Sequence, residues 1–588
     1  MEKDCYITEY YAEGLKEISA VVKHRFSDFL VNEIDLEGRV VHLDCFSVPQ
    51  TAPNSKSVSE GCGDGTDDRI DAAFISQLQT LSSEDNELTE VLIPCQEFDK
   101  ARRTRVHECI REKFANLRSL FVQKDGLDFI QVTKAPSNEA QSRKRKFWPH
   151  SGTDYCHFAM YKENMDTHMV LSVISKRLGL RPGDFHVAGT KDKRAKTVQR
   201  VSVYRTDATK IAALNPVLKG IKLGNFKYAA EDIRLGDLKG NRFTIVLRNV
   251  RGIERSELES RLQAMLKNPF INYFGPQRFG TAADVRTWHV GRDLIRGDWK
   301  GAIDQILQPR AVPTDGNLEL ALTKYSETGD ATAALNVIPP KLRAHYIEAL
   351  LLKALKACEP NDLVTALHAI PRNSRLLYVH AYQSYVWNRV VSRRLQKHRN
   401  CVLDGDLVLP GACAPDTKPS HVAPGTSSQH HCTDVALPLP GYDVLYPNNL
   451  LKSWYEEILA EDNVQLSDFD HKVKDYRLSG GYRRIFEQVM DARYQLIGYD
   501  DDNADLTISD VDRLKTDAPG DKSFVDSVEG GSKLAIGLQF SLPSSCYATM
   551  VIRELTRTDT SSRAQRERAN MEQNDQSKDV NMEVANNG

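Results

Sequence analysis

The sequence predicts an α+β protein whose sheet-built core is interrupted by a mainly helical insertion and then resumes. Three observations predict it. Strand-type patterns crowd residues 155–280, helical periodicity takes over from about 281, and a strand-like run returns at GLQFSL (537–542). With 588 residues, 41% of them hydrophobic, the chain can bury at least one large core and supply two domains.

The first ordered unit is expected over residues 5–45. Val21-Val22, Phe29-Leu30-Val31 and Ile34 are strand-forming types. Residues 46–100 change character: rich in Ser, Asp, Glu and Gly, and including SSEDNELTE, they read as an acidic, mobile insert. Between 101 and 121, Val106, Ile110, Phe114, Leu117 and Phe121 recur at three- and four-residue steps, the stripe of an amphipathic helix. Residues 134–150 then form a basic loop, in which Arg143 to Lys146 read equally as a nuclear import signal or phosphate contact and as a solvated loop.

Within 155–280, HFAMYKEN (157–164) reads as a strand entering a turn. Thr167 is placed to cap a helix that runs to Leu178 and stops at Gly179. FHVAG (185–189) reads as a short buried strand, VQRVSVY (198–204) as a half-buried one, and GDLKGNRFTIVL (236–247) as strand, turn and strand. Residues 1–280 are thus the N-terminal part of the core and 281–488 the insertion. Its strongest helical segments are 341–358 and 375–395, and Pro410 to Pro440 reads as a loop. Residues 489–558 complete the core, and 559–588, rich in Asn, Gln, Ser, Arg and Glu, read as a disordered tail.

Composition narrows the function classes. A formal net charge of -2 excludes a polycation, so any nucleic-acid contact needs a local basic surface. No apolar run is long enough to span a bilayer, and MEKDCYITEY lacks the pattern of a secretory signal, pointing to the cytosol or nucleus. Eleven scattered cysteines without a CxxC read as free or buried thiols, not a disulfide framework. Cys413, His421, His430, His431 and Cys432 share a polar stretch, but their spacing fits no zinc-finger pattern, and chance enrichment in a loop is the favoured reading.

The sharpest feature is GTKDKRAKTVQR (189–200). A glycine follows a short apolar strand and opens a turn. Asp192 sits in that turn between Lys191 and Lys193, with Arg194, Lys196 and Arg200 behind it. A strand-to-loop exit can expose a side chain from a rigid sheet. Neighbouring cations favour an ionised aspartate and attract phosphate. Taken alone, the run also reads as a solvated charged turn. It is not a P-loop, because the glycine spacing is absent.

GTKDKRA resembles the catalytic signature of the TruD family of pseudouridine synthases, and five further blocks extend the resemblance. KHRFSDFLVNEI (23–34) resembles the family's Lys-x-x-x-x-Asp-Phe-x-Val-x-Glu block, and LGDLKGNRFT (235–244) with NYFGPQRFG (272–280) its central signatures. HAYQSYVWN (380–388) resembles a helix of its inserted domain, and FSLPSSCYATMVIRE (540–554) its C-terminal block. The acidic insert and DVALPLPGYDVLYP (434–447) resemble the eukaryotic branch, the pseudouridylate synthase seven group. The resemblance implies a pseudouridine synthase-type core with a mixed or antiparallel sheet and an inserted, mainly helical TRUD domain. It implies Asp192 as nucleophile or general base toward a uridine. Asn272 and Phe274 would hold and stack the flipped base, with Lys23 and Phe29 at the same cleft, and Lys191, Lys193 and Arg194 would meet the RNA. Tyr547 stands where bacterial members carry Phe, and Ser27 replaces an acidic residue, so no role passes to Ser27. Gly189, Gly275 and Gly280 read as backbone requirements.

The implied reaction breaks the N1–C1′ bond, turns the uracil and rejoins it through C5. It conserves atoms and electrons, so no cofactor is expected. The base must leave its stack, and a carboxylate then acts by forming an adduct or by removing the C2′ proton. Both routes need Asp192 ionised. The implied partners are tRNA, with mRNA and small nuclear RNA as further substrates of eukaryotic members. A monomer located in the nucleus, and also the cytoplasm, is expected. Two rivals stand beside this reading: a non-catalytic RNA-binding or chaperone protein, and an RNA hydrolase with paired carboxylates, for which Glu33 is the candidate second acid.

Overall fold

The computed structural model describes residues 2–49, 71–83, 88–114, 116–124, 126–135, 148, 150, 152–280, 287–310, 315–359, 361–409, 411, 417–516, 522–561, 564–565 and 568. Arg143 to Lys146, Cys413 and residues 571–588 lie outside them.

The core is a mixed sheet with nine strands among the described residues: β1 (Ser19–Val22), β2 (Phe29–Ile34), β3 (Tyr155–Glu163), β4 (Phe185–His186), β5 (Lys196–Tyr204), β6 (Ile221–Ala229), β7 (Gly240–Arg251), β8 (Met490–Tyr499) and β9 (Lys533–Pro543). Their order is β8-β9-β7-β2-β5-β3-β6, with β1 against β7 and β4 against β5. β7 is the spine. It runs antiparallel to β9, pairing Phe243 with Phe540, and to β2, pairing Phe243 with Val31. β2 and β5 are parallel, pairing Leu30 with Lys196. The β-branched and aromatic residues of β7 are buried from Phe243 to Val250, as expected for a strand covered on both faces.

Several sequence expectations shift for local reasons. VQRVSVY does not alternate with solvent: Val198, Gln199, Val201, Ser202 and Val203 are all buried, because β5 is an interior strand. GDLKGNRFTIVL holds one strand, not two. Residues 236–239 form a turn in which Lys239 donates its N–H to Ile34 O, and the ladder starts at Gly240. The helix Thr167–Leu178 is capped by Asp166, whose carboxylate accepts from His168 N and Met169 N. Thr167 is the first helical residue, and Gly179 closes the helix in the left-handed region.

The chain leaves the core through Phe270–Ile271 and returns through Phe486–Glu487, and these two segments pair antiparallel. The described residues between them are mainly helical up to His398. The helix Arg372–His398 buries Tyr382, Val386, Trp387 and Val390. The helix expected over 341–358 begins at Ile347. Residues 339–345 turn instead, with Leu342 N bonded to Pro339 O and His345 N to Leu342 O. Within the expected loop 410–440, Val435–Leu439 is a strand paired with Gly481–Arg484. The tail starts later than expected. Thr560 and Ser561 are buried, Thr560 donates to the Glu2 carboxylate, and Gln565 accepts from Val22 N.

A second compact unit is formed within residues 49–155 and 228–231. Its antiparallel sheet runs Glu90–Pro94, Leu127–Lys134, Leu117–Lys124, and is accompanied by the helices Ala72–Ser82 and Lys100–Lys113. The expected mobile stretch 46–100 therefore carries a helix and a strand. Leu78, Leu81, Val91 and Ile93 give them a core of their own with Val106, Ile110, Ile130 and Val132. The helix expected to reach residue 121 ends at Lys113. Leu117 and Phe121 lie on the following strand, and Phe121 is exposed.

Candidate active site

Asp192 lies in the turn that enters β5, with its side chain 28% exposed. Its Oδ2 is 3.4 Å from Lys23 Nζ, which also lies 3.8 Å from the centroid of the Phe29 ring. Lys23 is held at φ +55°, a left-handed conformation that costs an ordinary residue about 1 kcal/mol. The strain is tolerated because the neighbouring segment is pinned. Asp28, fully buried, receives three hydrogen bonds from the Arg248 guanidinium, and its Oδ2 also accepts from Arg25 N. Phe29 follows Asp28 directly and packs edge-on against Phe243, 6.0 Å away.

The cations of the motif divide sharply. Lys191 was expected to meet the RNA, but its Nζ is buried and donates to Glu33 Oε2 at 3.0 Å. Arg200 takes the other Glu33 oxygen at 3.0 Å. Lys196 lies between Asp505 and Asp512. Burial works to lower its pKa, but the two carboxylates win and raise it. Arg194 reaches back to His24 O with one guanidinium nitrogen. Of the motif's cations, Lys193 and Arg194 alone are exposed. The turn backbone is anchored as well: Gly189 O accepts from Gln199 Nε2, Lys191 N donates to Thr167 Oγ1, and Ala195 O accepts from Asn164 N. Lys162, buried in β3, donates to Asp192 O at 2.7 Å.

A second cluster forms where the insertion joins the core. Asn272 is 2% and Phe274 4% exposed, so both are nearly closed to solvent. The Asn272 amide is already engaged: Oδ1 accepts from Arg483 at 2.6 Å, and Nδ2 donates to Arg484 O at 3.3 Å. Asn388, on the long helix, clamps the Phe274 peptide, accepting from its N–H and donating to its carbonyl. Arg483 is buried under the Phe274 ring, 4.1 Å from its centroid. It donates to Asn272 O, to Asn272 Oδ1 and to Ser545 O, two residues before Tyr547. Burial lowers the pKa of this guanidinium. Phe274 meets Trp387 and Tyr547 edge-on, and the Tyr547 ring is half-buried. Gly275 is in a close approach, since a Cβ there would lie 3.3 Å from the Tyr547 ring and from Thr549 Oγ1. Gly280 is favoured by φ +89°, whereas Gly189 meets neither condition.

Lys23, Phe29 and Asp192 thus form one group, and Asn272, Phe274 and Tyr547 another. Among the described residues no hydrogen bond, ion pair or ring contact joins the groups directly. They share one hydrophobic core, in which Phe29, Ala195, Phe243, Phe274 and Phe540 are buried. An apolar cavity of about 310 Å³, bounded by Tyr11, Met265, Phe270 and Leu555, contains none of the six. The sequence had not singled out Lys162, Arg483 or Asn388. The available signals were a lysine inside an otherwise buried strand for Lys162 and a polar residue inside a matched block for Asn388, whereas Arg483 lies in none of the blocks. The cysteine-histidine stretch carries no metal cluster among the described residues. His421 Nε2 contacts Tyr446 O, and His431 caps its own turn.

Residues 128–555 match the family model for TruD, tRNA pseudouridine synthase D. The chain is 39% identical to the mouse (Mus musculus) pseudouridylate synthase 7 homolog over 92% of this chain and 79% of the relative. It is 32% identical to the multisubstrate pseudouridine synthase 7 of Schizosaccharomyces pombe, covering 96% of this chain and 91% of the relative.

The chain belongs to the TruD family of pseudouridine synthases.

A solved structure of the Methanosarcina mazei protein described as tRNA pseudouridine synthase D is similar at a TM-score of 0.50 and 26% identity, covering 69% of this chain and 88% of that one. The α+β fold is therefore that of the TruD family, and the protein is an isomerase that acts on RNA, a pseudouridine synthase. Both rivals lose ground. Both oxygens of Glu33 are held by cations inside the protein, so Glu33 cannot serve as the second acid of a hydrolase.

Proposed function

We propose that Asp192 is the carboxylate that isomerises uridine, acting as nucleophile or general base on a base drawn out of the RNA stack. The observation that carries this is a partly open carboxylate at the mouth of a rigid strand, paired with a cation held in a strained conformation. The reaction needs the N1–C1′ bond to break, the C5–C1′ bond to form, and the C5 proton to leave as N1 gains one. A carboxylate beside the ring serves the C5 step as base. Lys23 fixes the carboxylate's direction, and Phe29 keeps Lys23 from swinging into solvent.

Tyr547 offers a partly exposed aromatic ring to the base, with Phe274 backing it and Asn272 setting the turn that carries Phe274. Lys193 and Arg194 contribute the phosphate contacts of the motif. The substrates are tRNA, mRNA and small nuclear RNA. The S. pombe relative's description as multisubstrate favours such breadth. The enzyme works as a monomer, in the nucleus and also the cytoplasm, and residues 281–488 act as the inserted domain that clamps RNA over the sheet.

Asp192→Asn tests this. The expected result is unchanged RNA affinity with no isomerisation, read by pseudouridine mapping of cellular RNA with the intact and the altered protein. A variant that still makes pseudouridine at close to the normal rate removes Asp192 from the mechanism.

A further inference from the structure

We propose that Lys162 is a positioning residue for Asp192, its buried ammonium locking the backbone of the catalytic turn through the carbonyls of Asp192 and Lys191. This rests on Asp192 being the reactive carboxylate. Lys162 is fully buried in β3, between residues that pack the sheet. Its Nζ lies 2.7 Å from Asp192 O and 3.5 Å from Lys191 O. Among the described residues it has no carboxylate within ion-pair distance, whereas Lys23 and Lys191 each have one and Lys196 has two. A buried cation without a counter-ion is costly and would be replaced by an apolar chain if packing were its whole purpose. Here carbonyl dipoles solvate the charge, and those dipoles belong to the turn that presents the carboxylate.

The other anchors of the turn act elsewhere. Gln199 holds Gly189, Thr167 holds the Lys191 N–H, Asn164 holds Ala195, and Arg194 ties the turn to His24. Among the described residues, Lys162 alone bonds the peptide carbonyl of Asp192 itself. An ammonium has three donors, so it can grip two successive carbonyls at once, which a neutral amide or hydroxyl cannot do with equal strength. The charged groups facing it are Asp192 and Lys191 on the turn and Asp166 at the helix cap. Burial pushes its pKa down to about 8, against the pull of Asp192 and Asp166 and with the push of Lys191. The clamp therefore loses its charge in a mildly alkaline range.

The experiment measures kcat, KM and RNA affinity for the wild type, Lys162→Met, Lys162→Arg and Asp192→Asn on one uridine-containing RNA, from neutral to alkaline pH. Lys162→Met is expected to lower kcat about a hundredfold, the effect of a misplaced reacting group, with RNA affinity within about twofold. Wild-type kcat is expected to fall as pH rises through about 8, and Lys162→Arg, which keeps its charge, to recover part of the activity without that alkaline fall. Should Lys162→Met fail to fold, the wild-type and Lys162→Arg profiles decide alone. The proposal is overturned if Lys162→Met keeps wild-type kcat, or if wild type and Lys162→Arg share the same alkaline limb. An active Asp192→Asn would instead overturn the assignment of Asp192. An inactive Asp192→Asn beside a fully active Lys162→Met would overturn only the role of Lys162.

Discussion

Replacing Lys23 with Met separates two roles that a cation beside a catalytic carboxylate can have. Met keeps the length and the apolar stem that covers Phe29, so the packing survives and the charge alone is lost. At 3.4 Å and an effective dielectric of about 20, the attraction between Lys23 and Asp192 is about 5 kcal/mol. Lys23 is 17% and Asp192 28% exposed, so both recover hydration when separated. The net value then falls between that of an exposed pair and a buried one, about 2 kcal/mol. If that energy holds the carboxylate in its reactive direction, kcat falls about thirtyfold. RNA affinity stays nearly constant, because the ammonium is already spent inside the protein. The assay is single-turnover pseudouridine formation, with Kd measured at several salt concentrations. A phosphate-binding lysine would behave otherwise: Kd would rise and the salt slope would drop by about 1. That outcome, or a kcat within twofold of wild type, would refute the positioning role of Lys23.

Arg483→Met should destabilise the protein by about 3–5 kcal/mol in denaturant unfolding, since it strands the two buried acceptors of Asn272 and releases Ser545 O. Hydrogen exchange around 544–547 should rise with it. Lys193→Ala should weaken RNA binding and lower its salt slope by about 1, whereas Lys191→Met should lower stability and leave the slope unchanged. The stability difference between wild type and Lys162→Met should change with pH in a set direction. The folded-state pKa of Lys162 is about 8, below the usual 10.5, so charging it opposes folding below pH 8. That penalty fades as pH rises from about 8 to 10.5, and the difference should move in favour of wild type by about 3 kcal/mol. A flat difference in paired thermal or urea unfolding would show that Lys162 titrates normally.

The elements of the core were legible because their periodicity and their neighbours agree. β7 is a run of Phe, Thr, Ile, Val and Leu, and any such run wants a covered sheet position. What the pattern could not reveal was partnership. GTKDKRAKTVQR reads as a cationic surface, yet Glu33, Asp505 and Asp512, distant in sequence, turn Lys191, Arg200 and Lys196 inward. The helix stripe from Val106 to Phe121 failed for another reason. Steps of three and four continue across Phe114 by chance, but Leu117 to Lys124 pairs with Leu127 to Lys134, and strand pairing overrides local period. Asn272 and Phe274 stood out only as part of a matched block, because their closeness to Arg483 and Asn388 depends on how the insertion's two ends meet.

The inward turn of these cations bears on how a chain of net charge -2 handles RNA. A catalytic turn that used all its lysines for phosphate would bind RNA tightly, but the turn would be floppy, since each exposed cation contributes little to fixing a backbone. Here the balance goes the other way. Lys162, Lys191 and Arg200 hold carboxylates or carbonyls inside the protein, Arg248 does the same for the start of β2, and buried Lys196 reaches out to Asp505 and Asp512. Buried pairs of this kind add little net stability, but removing one partner is severe, so they enforce one geometry. Orientation is what an isomerase working on a single extruded base requires, because a displacement of about 1 Å at the reacting atoms can cost a hundredfold in rate. With Asp192 as the proposed carboxylate, this predicts that most of the RNA affinity comes from basic surface outside the 189–200 turn, so that loss of Asp192 or Lys162 shows in kcat and hardly in Kd.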